Sequence, residues 1–131
     1  MARPLLMHPR MKRILFVLLL AGACTSTQSG ATCPTANAPS YDSFGQRFFA
    51  TYCTSCHSRD ATDRHGAPAG EDFDTEDDIR RHAAAIDAEA AAGPEATNTD
   101  MPDMSGPVHM QPSQAERQQL GQFLACEQAS N

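Results

Sequence analysis

Two thiols three residues apart, followed at once by an imidazole, are the side chains of this sequence best equipped for chemistry: Cys53-Thr54-Ser55-Cys56-His57. Such thiols can add across the two vinyl groups of a haem as thioethers, and the adjoining histidine is then held where its nitrogen can ligate iron. A redox dithiol of the same spacing would sit at a strand-to-helix junction, and no strand-like segment precedes Cys53. A zinc site would need two further ligands at compact spacing, whereas His8, His65, His82 and His109 are scattered and there is no second cysteine pair. The pentapeptide therefore reads as a covalent haem c site, with Cys53 and Cys56 as attachment points and His57 as the proximal iron ligand. A soft thioether is the usual partner of histidine in electron-transfer haems, and Met101, Met104 and Met110 all follow in a polar stretch, with His109 among them.

The elements that must position these groups are helices. Phe44, Phe48, Phe49 and Tyr52 recur at helical spacing and predict a helix over residues 41–53. Residues 58–74 are polar and turn-rich and read as a loop. A second helix is expected over residues 75–92: Thr75 can cap it, Glu76, Asp77 and Asp78 load the positive end of its dipole, and Gly93-Pro94 ends it. Ile79, Ala83, Ile86 and Ala90 form its buried stripe, while Arg80, Arg81 and His82 belong to a solvated face, the arginines pairing with nearby acids. Ser113-Gln114-Ala115-Glu116 is a capping box that opens a last helix, with Leu120, Phe123 and Leu124 on its apolar side. Gly121 within it costs helix propensity, which is reasonable where another helix approaches closely near Gly45.

Gly45-x-x-x-Phe49-x-x-x-Cys53-x-x-Cys56-His57 resembles the N-terminal helix of class I c-type cytochromes, in which a small residue lets the last helix cross closely and an aromatic one turn later packs against haem. The resemblance extends over residues 41–127 and implies an all-α, cytochrome c-like fold of three main helices round one covalent haem c, the first and last crossing. It also implies roles for single residues. Pro68, eleven residues after His57, resembles the family proline whose carbonyl accepts a hydrogen bond from the proximal imidazole, and Met101-Pro102 stands at the family's place for the sixth ligand. Met104, Met110 or an open sixth position are the alternatives. With no Trp in the chain, side chains alone make a thin core, and an inserted haem supplies missing apolar surface.

The beginning of the chain bears on its compartment. Lys12 and Arg13 precede an apolar run over residues 14–20 that closes in Ala21-Gly22-Ala23, the order of a secretory signal peptide over residues 1–23. Cys24 follows in a context that resembles a bacterial lipobox, so it is the expected lipidation site. Residues 24–40 then read as a flexible tether, and residues 41–131 as the haem domain. Without the signal, six arginines and no lysine face sixteen acids, which argues against nucleic acid and for redox partners with basic docking patches. In an oxidising compartment Cys33 and Cys126 are left over, and the helix crossing of the resembled fold would bring their ends of the domain together as a disulfide. The expected function is single-electron shuttling at the periplasmic face of a bacterial membrane, held there by a lipid anchor and with no small-molecule substrate. The alternatives are a haem enzyme or gas sensor with an open or labile sixth site, or the cytochrome subunit of a larger oxidoreductase complex.

Overall fold

Serine chemistry opens the first helix. Ser40 Oγ accepts from the Ser43 N–H at 3.2 Å while Ser43 Oγ accepts from the Ser40 N–H at 2.9 Å, a reciprocal cap on two otherwise orphaned donors. In this computed structural model, which describes residues 28–130, the helix begins with a π turn, Tyr41–Gly45, and continues as α1, Gln46–Tyr52. The expected signal segment and Cys24 lie outside the described residues. Phe44, Phe48, Phe49 and Tyr52 are all buried, as their spacing requires.

α2 spans Glu76–Ala90, with Thr75 Oγ1 accepting from the Asp78 N–H. It stops two residues before the expected end. Ala91 turns to extended backbone, and Ala92 makes an isolated antiparallel bridge with Thr97, so a tight reversal centred on Pro94-Glu95 begins earlier than the helical pattern implied. α3 spans Gln114–Ala129 behind the expected capping box, Glu116 Oε2 accepting from the Ser113 N–H at 2.8 Å. Among the described residues there is no strand beyond that bridge, and no helix is long and apolar enough to cross a membrane.

The core is one apolar cluster to which all three helices contribute: the first-helix aromatics, Ile79, Ala83, Ile86 and Ala90 of α2, and Leu120, Phe123 and Leu124 of α3. Phe123 is fully buried with its ring 6.1 Å from Phe44 and 6.3 Å from Phe49. Gly45 lies directly on it, since a Cβ there would come within 2.8 Å of Phe123 Cζ. The first and last helices therefore meet through Gly45 and Phe123. Gly121, expected at that contact, serves a different neighbour: its absent Cβ would stand 2.7 Å from the Ala92 carbonyl and 3.1 Å from Ser29 Oγ.

That neighbour changes the reading of the tether. Ser29 is buried; its N–H and Oγ donate to the two carboxylate oxygens of Asp87 at 2.7 and 2.5 Å, and its carbonyl accepts from Glu95 N at 3.0 Å. Four residues on, Cys33 is joined to Cys126 near the end of α3, with 4.6 Å between their Cα atoms. Residues 29–33 are thus a strap across α2 and α3 rather than part of a free leash. Asp87 supplies the reason, being a carboxylate whose burial demands donors that the short strap provides.

Along α2 the arginines behave as their setting suggests. Arg80 pairs with Glu76 and Asp77 on its own helix, and at 2.8 Å with Glu127 of α3, while Arg81 pairs with Asp78. His82, expected in solvent, is half-buried, with its ring 5.8 Å from that of Phe73.

Candidate functional site

The end of α1 coils directly into the pentapeptide. Cys53 N donates to Phe49 O at 2.9 Å, and Cys53 O in turn accepts from Cys56 N at 3.1 Å and His57 N at 2.9 Å. This single turn turns both sulfurs and the imidazole toward one cavity, whose walls they line. The two thiols are free and half-buried. Burial, reinforced by Cys56, pushes the Cys53 thiol up to about 12, the reverse of the depressed value that a dithiol exchanger needs to present a thiolate.

His57 is oriented from two sides. Its ring stacks on Phe73 at 4.5 Å with 13° between the planes, and Nδ1 lies 2.9 Å from the Glu71 carbonyl. A carbonyl can only accept, so Nδ1 carries the proton and Nε2 keeps its lone pair for a metal. The acceptor is Glu71 and not Pro68, which corrects the assignment implied by the family resemblance. The Pro68 carbonyl is occupied by Glu71 N at 3.2 Å and Arg64 Nη2 at 2.7 Å, because the chain turns there and brings the later carbonyl to the ring. Pro68 nevertheless lines the cavity. Arg64 holds this loop together, donating also to Ser58 O at 2.7 Å, Ala67 O at 3.2 Å and Asp72 Oδ1 at 2.6 Å.

The cavity has a volume of about 300 Å³, and Phe48, Tyr52, Phe73, Ile86 and Val108 make it largely apolar. That is the setting of a cofactor site with few polar groups placed for specificity. Of the three methionines only Met101 lines it; Met104 and Met110 are 48% and 61% exposed and do not. His65 is at the cavity wall and His109 is not. Met101 is joined to Pro102 by a cis peptide. Its N–H donates to Glu89 O at 3.0 Å, and its carbonyl accepts from Arg117 Nη1 at 2.9 Å.

Arg117 is the residue that sequence reasoning missed. Its guanidinium is buried on α3, where it also donates to Ala90 O at 2.7 Å, Asn98 O at 2.8 Å and Gln111 Oε1. Burial draws it below its ordinary value, yet an arginine remains a cation. A signal existed: Arg117, Leu120, Gly121 and Leu124 follow the i, i+3, i+4, i+7 rhythm of a buried helix face.

The structure thus brings Cys53, Cys56, His57, Pro68 and Met101 to one cavity, and joins Cys33 to Cys126 away from it. Two thiols in reach of one wall, an imidazole with Nε2 left free, a thioether and apolar faces are the donor set and the surroundings that a covalently held haem requires. Compared with known families, residues 43–125 match the cytochrome c model, a span that takes in all five cavity residues but neither the strap nor the disulfide. No curated protein and no solved structure matches the chain.

Proposed function

Because the chain belongs to the cytochrome c family, and so is an electron-transfer haem protein, we propose that it is an exported, lipid-anchored cytochrome with one haem c and a His57/Met101 ligand pair, passing single electrons between redox proteins at the periplasmic face of a bacterial membrane. The observation that carries the ligand pair is the convergence of Cys53, Cys56, His57 and Met101 on one apolar cavity that excludes Met104 and Met110.

When bound, haem supplies a one-electron ferrous/ferric couple. The protein's own residues do the rest. Cys53 and Cys56 would hold the ring covalently in the cavity, and the Glu71 carbonyl keeps His57 in one tautomer and one orientation. Phe48, Tyr52, Ile86 and Val108 line the cavity and would keep water from a haem held there, limiting the reorganisation that accompanies a change of iron charge. No side chain is asked to bind or transform a small molecule. The acidic balance of residues 24–131, six arginines against sixteen acids, suits a docking partner with basic residues round its own redox centre.

The test is direct. After denaturation and acid-acetone extraction the haem should stay with the polypeptide, and the oxidised protein should show the weak far-red band of methionine on ferric haem, lost in Met101→Ala and kept in Met104→Ala. Haem moving into the organic phase would overturn the attachment. Prompt carbon monoxide binding by the reduced native protein would favour an open-site enzyme or sensor instead. For the anchor, Cys24→Ala should move the protein from the membrane to the soluble fraction.

A further inference from the structure

We propose that Arg117 is the positioning residue for the sixth ligand: its buried guanidinium gathers oxygens from three chain segments and so holds Met101 over the haem cavity. The inference rests on the proposed Met101 ligation and concerns what keeps that methionine in place.

Met101 needs such a device. It is 38% exposed, in a connection between α2 and α3 without regular structure of its own. Between Asp103 and Met110 the described hydrogen bonds are local, Asp103 accepting from Ser105 N at 2.8 Å and Gly106 N at 3.3 Å. Met101 has one other described tie, its N–H to Glu89 O at 3.0 Å on α2, and that single bond leaves its carbonyl and the chain after it unheld against the entropy of a loop.

Arg117 supplies the missing constraint. One nitrogen, Nη1, is shared by Ala90 O at the end of α2 and by Asn98 O and Met101 O in the turn that follows, at 2.7, 2.8 and 2.9 Å. The other, Nη2, donates to the Gln111 side chain, whose own Nε2 donates to Pro102 O at 2.7 Å. The carbonyls of both Met101 and Pro102 are therefore tied, directly or through one amide, to a single planar group in the core. Ala92 N bonds the Arg117 backbone carbonyl at 2.9 Å, so the residue is itself fixed to the chain that it organises.

The charge is informative too. Among the described residues, no carboxylate forms an ion pair with this guanidinium, although it is 2% exposed. A buried cation held by carbonyl dipoles alone is costly as a mere structural filler, and an apolar residue would continue the stripe with Leu120 and Leu124 at lower cost. Arginine at this position is explained by the need for a rigid fork that reaches several acceptors at once, which a lysine ammonium on a flexible stem reproduces poorly.

The experiment compares full-length, haem-loaded Arg117→Lys and Gln111→Ala with the native protein, following the far-red ferric band during heating, global unfolding by circular dichroism, and carbon monoxide association with the reduced form. Gln111 is exposed, so its variant is expected to fold even if the arginine variant does not. In both variants the far-red band should disappear well below the temperature of global unfolding, and carbon monoxide should associate at least tenfold faster in Arg117→Lys and several-fold faster in Gln111→Ala. Unchanged carbon monoxide binding, with a far-red band that persists up to global unfolding in every variant that folds, would reduce Arg117 to a structural residue and overturn the proposal. Met101→Ala is the separate control. If the native band survives that change, the ligand assignment has failed; if it is lost while the two positioning variants behave as native, only the role of Arg117 has.

Discussion

Replacing both members of the disulfide, Cys33→Ala with Cys126→Ala, isolates the contribution of one covalent loop. The bond joins residues 93 positions apart, so in the chain-entropy model it removes about 4.6 kcal/mol of unfolded-chain freedom at 25 °C. Haem attachment subtracts little from this, because thioethers to Cys53 and Cys56 close only the short interval between them and leave the long loop open. Cys33 is exposed and Cys126 half-buried, so truncation leaves no large cavity to confuse the reading. Ser29 continues to hold the strap to Asp87 in the native state, which confines the main effect to the unfolded ensemble. The double variant is expected to lose about 3–5 kcal/mol in guanidinium unfolding of the haem-loaded protein, or roughly 15–35 °C in melting temperature. Its m-value should rise, because an opened chain exposes more surface, while its folded-state haem spectrum stays native. A loss below about 1 kcal/mol, or a larger loss with an unchanged m-value, would refute the entropic reasoning.

Two further outcomes follow from packing and from charge. Gly45→Ala gains up to about 1 kcal/mol of helix propensity but drives a methyl to 2.8 Å from Phe123 Cζ, where Phe44 and Phe49 leave the ring no room to yield; a net loss of about 1–2 kcal/mol is expected, smaller in a Phe123→Leu background, as measured by a double-mutant cycle. Asp78 is held below its ordinary 3.8 first by the Thr75 hydroxyl and then by Arg59 and Arg81, so its stabilisation is complete above pH 3.8 and is lost as pH falls through the lower folded value. Thermal melts between about pH 2 and 6 should therefore show a shallower acid loss in Asp78→Asn than in the native protein; equal slopes would show that the carboxylate is not a source of the pH dependence.

How far the sequence could be read depended on whether a feature was local. The caps at Thr75 and Ser113, the stripe of α2 and the attachment turn each arise from residues within one or two turns of one another, and all are where their patterns implied. Non-local partners were harder. Gly121 announced a close approach, expected near Gly45, but its neighbours are Ala92 and Ser29, the latter in a polar stretch with no periodicity to mark it. The acceptor for His57 moved from Pro68 to Glu71 because a carbonyl belongs to every residue, and only the course of the loop decides which one is presented. Arg117 was passed over although it continued the buried face, since residue type outweighs position when a single chain is read. Choosing Met101 over Met104 and Met110 rested on family likeness in the sequence and rests on cavity lining in the structure.

The strap has a consequence for where electrons can be collected. With the lipid anchor proposed at Cys24, a leash running to the start of the first helix at Tyr41 could extend roughly 60 Å, whereas one that ends at the buried Ser29 reaches no more than roughly 17 Å. Asp87, which receives the strap, lies roughly 130° round α2 from the side that Ala85, Ile86, Glu89 and Ala90 give to the haem cavity. The anchored molecule would then search for partners in two dimensions, within a thin layer over the lipid, with its redox face turned aside from the point of attachment. On that proposal, encounters with proteins seated in the same membrane would gain from the raised effective concentration that a short tether confers, and carriers far out in the periplasm would not.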